Sequence, residues 1–263
     1  IPDALYTIFL TLVSVTALIP LLLEFMDRHS DSHRRFLDSV FTVFLLLMVI
    51  VSGAFFFAAP SIAPIVAPGF LPDELETLVT LTRIMLLSPL LLGLSNIFSG
   101  VVQTMRRFFI YAASPVVYNV GIIVGVLVFY PIWGTAGLAM GVVLGALMHM
   151  GIQLPGVVRL RLMPRISLAP DFGLVSRVAA LSLPRSIGLS LTQLVMVGIV
   201  AIGSLIGAGS IAVFTLAYNL QSVPLTVVGL SYSIAAFPTL ARLFVQNSAD
   251  TFRSHVGLAL QNI

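Results

Sequence analysis

Apolar runs of roughly 20 residues, long enough to cross a bilayer as helices, follow one another along all 263 residues of this chain. With 59% hydrophobic residues, 9% charged residues and a mean hydropathy of +1.10, it has too little polar surface to cover a soluble globule. It reads as an integral membrane protein. Seven spans can be drawn, at about 4–26, 36–66, 74–103, 110–131, 134–157, 176–206 and 210–244. All are expected to be helical, because an open sheet edge cannot face lipid and the period-2 alternation of a membrane barrel is missing. The expected fold class is all-α, a polytopic transmembrane helix bundle. The chain begins at Ile1 without a Met and stops where Phe252 to Leu260 could open another helix, so it reads as a fragment.

The basic residues set the orientation. All 13 are arginine. Arg28, Arg34 and Arg35 fall in the first connection, Arg106 and Arg107 in the third, Arg242 and Arg253 in the tail. Five more, Arg159, Arg161, Arg165, Arg177 and Arg185, crowd into Gly156 to Arg185. The alternate connections, at 67–75, 131–134 and 206–210, hold none, and the first is acidic through Asp73 and Glu74. An excess of arginine marks cytoplasmic loops. Ile1 is therefore expected outside, with Gly156 to Arg185 as a cytoplasmic linker between two membrane-embedded halves. Arginines at helix ends answer to anionic lipid and to insertion, which disfavours a nucleic-acid partner despite the net charge of +3.

The halves also resemble each other. Setting Pro20 against Pro238 aligns Ser14 to Ile19 with Tyr232 to Phe237, and the same offset pairs Ser30 with Ser248 and Arg35 with Arg253. Duplication of this kind is a transporter trait. Prolines within or ending spans, among them Pro20, Pro60, Pro64, Pro89, Pro115, Pro155, Pro224 and Pro238, each free a backbone carbonyl and bend a helix. So many bends suit helices that surround a cavity and rock. Gly137, Gly141 and Gly145 recur every four residues, as do Gly121 with Gly125 and Gly203 with Gly207; such strips let another helix come close. From Asp171 to Leu181 an amphipathic piece is expected at the interface, with Asp171 as its N-cap.

Enzyme chemistry is nearly absent. There is no cysteine, and no P-loop, dinucleotide fingerprint, nucleophile elbow or zinc helix occurs; His29 and His33 read as part of a solvated charged loop. No cofactor or metal is expected, and a membrane enzyme is disfavoured. Polar residues inside spans are the better lead, since hydrocarbon penalises them unless they meet a partner or water. Arg83 reads either as a side chain snorkelling to outer phosphates or as a cationic site for an anionic headgroup. His149 and Gln153 continue the Gly137, Gly141, Gly145 ridge and favour an interhelical hydrogen bond over a proton relay. Asn96, Gln103, Asn119, Gln193, Asn219 and Gln221 divide between helix glue and cavity lining.

Several stretches resemble the MurJ (MviN) lipid II flippases, within the multidrug, oligosaccharidyl-lipid and polysaccharide exporter superfamily. They are Ala67 to Phe70, Leu81 to Met85, Gly100 to Phe108, Ser114 to Asn119, Gly141 to Pro155, Ser190 to Gln193, Val223 to Leu225 and Pro238 to Ala241. The resemblance implies fourteen helices in two lobes around a central cationic cavity. Residues 1–157 would be the second to sixth helices, 158–178 the cytoplasmic linker, and 179–263 the start of the second lobe. It implies a multi-pass protein of the bacterial inner membrane, a monomer among membrane lipids. Its substrate would be a lipid-linked saccharide, lipid II, moved from inner to outer leaflet by alternating access with an ion or the membrane potential as coupling partner. Substrate-binding candidates in the cavity are Asp3, Arg83, Asn119, Gln193 and Asn219. Relatives usually carry two arginines and a glutamate where this chain has Tyr6, Thr7 and Thr11, and an arginine where it has Asn219; those guanidiniums would grip pyrophosphate. Their absence leaves open a less anionic lipid or polysaccharide as substrate, or a scaffold that no longer transports.

Overall fold

Several helix ends and bends in this chain fall where proline removes a donor or glycine permits a backbone that a Cβ would forbid. A computed structural model describes residues 15–28, 32–207, 209–230 and 257. The early part of the first expected span, the end of the last, and the Pro238 side of the internal repeat lie outside the described residues. The helices are α1 (Val15–Arg28), α2 (Ser32–Val66), α3 (Pro72–Met85), α4 (Leu87–Thr104), α5 (Phe108–Val124), α6 (Tyr130–Trp133), α7 (Thr135–Arg159), α8 (Phe172–Ile206) and α9 (Ser210–Pro224). No strand occurs among the described residues. Among the described residues, five helical stretches are long and apolar enough to span a membrane: Ser32–Val66, Pro72–Thr104, Phe108–Trp133, Thr135–Arg159 and Ser210–Val227.

Three breaks show how this is done. The span drawn at 74–103 is α3 followed by α4, with the joint at Leu86; Pro89 lies three residues on and cannot donate to the carbonyl of Met85. Between α5 and α6 the helix widens into π pitch over Gly125–Phe129, and Pro131 follows within one turn. Gly134, at φ 58 and ψ −139, then reverses the chain into α7, a conformation an L-residue rarely adopts.

Two compact units result, Ile1–Leu205 and Ile206–Ile263. In the first, α1, α2, α4, α7 and α8 share an apolar core of Leu18, Leu22, Phe36, Val40, Phe44, Ile97, Val101, Val157 and Val178. Phe25 stacks on Phe36 with ring centroids 5.0 Å apart. Elsewhere the apolar residues point outward. Ile50, Phe57, Ile65, Val116, Ile123 and Leu127 are all exposed, which lipid tolerates and water would not. Only 17% of the most apolar window of α2 is buried within the protein, so most of that helix is surface and its apolar surface is what fits it to a bilayer. In the second unit, α9 starts after Gly209, at φ 86, and passes into a second π segment, Leu225–Leu230, directly after Pro224.

The amphipathic piece at Asp171 proves continuous with the following helix: α8 runs unbroken from Phe172 to Ile206. Asp171 caps it, its Oδ1 accepting from the backbone N–H groups of Gly173 at 3.0 Å and Leu174 at 3.3 Å. Val178 on its apolar side is buried in the core, with Leu174 and Val175 packed against it. Protein thus covers the middle of that face, while Phe172 at its start is exposed.

Candidate functional site

Two helices meet where neither has side chains. Gly121 and Gly125 in and just after α5 face Gly145 and Gly141 of α7, and Gly137 lies against the backbone of Phe129. At each of these positions a Cβ would collide with backbone of the opposite segment. Backbones this close gain dispersion contacts that lipid tails cannot match, which is how helices associate without a hydrophobic driving force.

One face further round α7, the seam turns polar. Ser95 and Ser99 on α4 and His149 and Gln153 on α7 are each four residues apart, so both pairs lie along one helix face. Gln153 Nε2 donates to Ser95 Oγ at 3.0 Å, and Ser99 Oγ donates to Gln153 Oε1 at 3.0 Å. Ser95 Oγ also lies 2.7 Å from His149 Nδ1. Ser95 Oγ has one proton to give and two lone pairs to receive with, so it can serve either tautomer of His149 at this contact. The ring of Tyr118 meets His149 edge-on at 6.4 Å. Ser95, Ser99 and Gln153 are fully buried, and the interhelical bonding expected of His149 and Gln153 is present. In an apolar bundle such a cluster persists because every member satisfies another.

Arg83 answers a different need. Pro60 has no N–H, so the carbonyl of Phe56, four residues earlier in α2, loses its helical donor. Arg83 Nε reaches across from α3 and donates to that oxygen at 3.1 Å, while its guanidinium carbon sits 4.8 Å from the centroid of the Phe56 ring. One side chain thus repairs the hydrogen bond that proline removed and adds a cation–π contact.

The linker is strapped to the start of α2. Between α7 and α8 the chain is extended, and its backbone N–H groups are taken in order by α2 side chains: Arg165 by Asp38 Oδ1 at 2.7 Å, Ser167 by Thr42 Oγ1 at 2.8 Å and Asp171 by Ser39 Oγ at 3.0 Å. Two residues of extended chain advance about 6.6 Å and four of helix about 6 Å. Arg165 and Ser167 therefore stay in register with Asp38 and Thr42. Arg35 pairs with Asp171 at 3.3 Å and Arg177 with Glu24 at 3.1 Å.

With this geometry established, comparison with known proteins is decisive: the family model for the lipid II flippase MurJ matches residues 1–262. The chain belongs to the MurJ lipid II flippase family. It is 32% identical over 254 residues to the probable lipid II flippase MurJ of Buchnera aphidicola subsp. Acyrthosiphon pisum (strain APS), covering 92% of this chain and 48% of that relative. To the lipid II flippase MurJ of Burkholderia cenocepacia it is 27% identical over 245 residues, covering 90% and 48%. A probable lipid II flippase MurJ of Rhizobium meliloti is 28% identical over 247 residues, covering 86% and 44%. The chain spans about half the length of these relatives.

Within this member of the family, two of the cavity candidates have partners in protein. Arg83 holds to α2, and Asn119 Nδ2 donates to the carbonyl of Pro115 in its own helix at 2.9 Å. Gln193 is half-buried on α8, and Asn219 is exposed on α9, in the second unit. Asp3, Tyr6, Thr7 and Thr11 lie outside the described residues. Sequence reasoning did not foresee Ser95 and Ser99 as partners of α7, though their spacing matches that of His149 and Gln153. It also left the Phe56 carbonyl unassigned, although Pro60 points directly to it.

Proposed function

We propose that this chain is half of a flippase that carries lipid II, an undecaprenyl pyrophosphate-linked saccharide, from the inner to the outer leaflet for peptidoglycan synthesis. The observation that carries this reading is the family match over residues 1–262. The physical need is plain. A sugar and pyrophosphate headgroup cannot shed its water into hydrocarbon, so a polar path must replace that water while the prenyl tail stays in lipid.

The proposed mechanism is alternating access between two lobes, residues 1–157 and 179–263 belonging to different lobes and 158–178 linking them on the cytoplasmic side of the inner membrane. The linker bonds support a firm attachment to the first lobe, since three of its N–H groups are held by α2. The glycine seam and the polar cluster would make α4, α5 and α7 one rigid body, with bending left to the proline sites. Coupling to an ion or to the membrane potential, and action as a monomer, complete the proposal. Reconstitution of the full-length protein in liposomes tests it: labelled lipid II should exchange leaflets only when the protein is present, and no protein-dependent exchange counts against it.

A second reading, export of a less anionic lipid or polysaccharide, is favoured by Tyr6, Thr7 and Asn219, which stand where relatives carry arginine. Competition between lipid II and a neutral lipid-linked saccharide in the same liposomes separates the two.

A further inference from the structure

Where the linker leaves α7, Arg34, Arg161 and Arg165 line a single pocket of about 370 Å³ together with Val158 and Met163. Three arginines and two apolar residues line it, and no carboxylate among the described residues does. Of the described acids in this region, Glu24 pairs with Arg177, Asp171 pairs with Arg35 and caps α8, and Asp38 accepts from the backbone N–H of Arg165. Among the described residues no ion pair takes up the charge of Arg34, Arg161 or Arg165. Arg34 also stands in the first turn of α2, where the helix dipole adds positive potential and attracts an anion rather than a cation.

Arg161 strengthens the case. The end of α7 closes with Arg161 N–H bonded to Val158 O at 3.0 Å and Leu162 N–H to Val157 O at 3.2 Å, the pattern in which glycine is usual at the left-handed position. Arginine occupies it at φ 56, a conformation costly to a residue with a Cβ. Glycine there would relieve the backbone and remove the guanidinium together, which makes Arg161→Gly a direct probe of the pocket.

We propose that Arg34, Arg161 and Arg165 form a site for a phosphate ester, the headgroup of an anionic phospholipid in the leaflet the linker faces, with Val158 and Met163 against the first carbons of its chains. Val158 is 53% and Met163 37% exposed, so the apolar side of the pocket is open to such a ligand. Guanidinium forks suit phosphate oxygens, and basic pockets between helices at the membrane surface hold anionic headgroups. The site would anchor the linker to the bilayer. The proposal does not depend on which lipid is flipped.

The test uses the full-length protein in neutral detergent, titrated with phosphatidylglycerol, phosphatidylcholine or inorganic pyrophosphate and read by native mass spectrometry. The first phosphatidylglycerol should bind about tenfold or more tightly than phosphatidylcholine, at roughly fivefold in affinity for each arginine near the headgroup. Arg161→Gly should weaken phosphatidylglycerol binding about fivefold while leaving the melting temperature equal or higher, because glycine relaxes the backbone there. Arg106→Gly, at the other left-handed arginine (φ 57) and outside the pocket, should keep binding unchanged. The triple variant Arg34→Gln, Arg161→Gln, Arg165→Gln should lose the preference for anionic lipid. Pyrophosphate that fails to displace the lipid assigns the site to a lipid headgroup; pyrophosphate that displaces it at equal concentration assigns the same phosphate chemistry to a soluble source. Unchanged lipid preference in both Arg161→Gly and the triple variant would overturn the site.

Discussion

The α5–α7 seam and the linker strap hold the same unit together by opposite means. In the seam, glycines bring backbone onto backbone, and Ser95, Ser99 and Gln153 close on one another fully buried, with His149 beside them. Along the strap, partly buried carboxylates and hydroxyls and an exposed arginine bond a non-helical chain that is largely open to solvent between Leu162 and Asp171. A contact in the seam has no substitute, because lipid offers neither donors nor acceptors. Water can replace a lost bond in the strap. Damage to the seam should therefore cost more, residue for residue.

The largest effect is expected from Gly141→Val. Its side chain would enter the backbone of Gly125, and overpacking of this kind costs about 1–3 kcal/mol or more; the yield of monodisperse protein in detergent and its melting temperature should both fall sharply. Next comes Gln153→Leu, which strips Ser95 and Ser99 of their partner. A loss of about 0.6–1.7 kcal/mol is expected for such bonds inside a bundle, and a double-mutant cycle with Ser99→Ala should show the two changes to be non-additive. If Gln153→Leu cost nothing, the cluster would be incidental to the seam.

Arg83 sharpens the comparison because it lies between the extremes. Arg83→Met leaves the Phe56 carbonyl without a donor and should cost about 1 kcal/mol. Pro60→Ala restores a helical N–H for that oxygen, so Arg83→Met should cost clearly less in the Pro60→Ala background. Equal cost in both backgrounds would break the link between the proline and the arginine. The smallest effect is expected at the strap's ion pairs: Arg177→Ala should change stability by less than about 1 kcal/mol and less again at high salt.

Much of this was legible in the residues themselves. The spans follow from the apolar runs, and the turn at Gly134 and the joint before Pro89 follow from which residues lack a Cβ or a donor. The glycine strips were visible as spacing, yet spacing does not say which strip faces which. That pairing depends on Gly134 reversing the chain so that Gly121 and Gly125 run past Gly145 and Gly141. The amphipathic stretch after Asp171 looked like a surface helix because its apolar face is narrow, and only the packed position of Val178 shows what covers it. The arginine pocket was not legible as a cluster, since Arg34 is far along the chain from Arg161 and Arg165. Arg83 and Asn119 were legible as polar residues within apolar spans, but not the carbonyls of Phe56 and Pro115 that they bond.

All of these contrasts rest on one placement, with the strap and its arginines inside the cell and the acidic turn before α3 outside. These 263 residues contain no cysteine, so single cysteines can report on it in the full-length protein once any lying elsewhere are replaced. Leu168→Cys on the strap and Leu71→Cys before α3 are suited to this, since Leu168 is 101% and Leu71 67% exposed. In intact cells an impermeant maleimide should label Leu71→Cys at once and Leu168→Cys only after the membrane is opened. Labelling of Leu168→Cys in intact cells, with Leu71→Cys protected, would contradict the account.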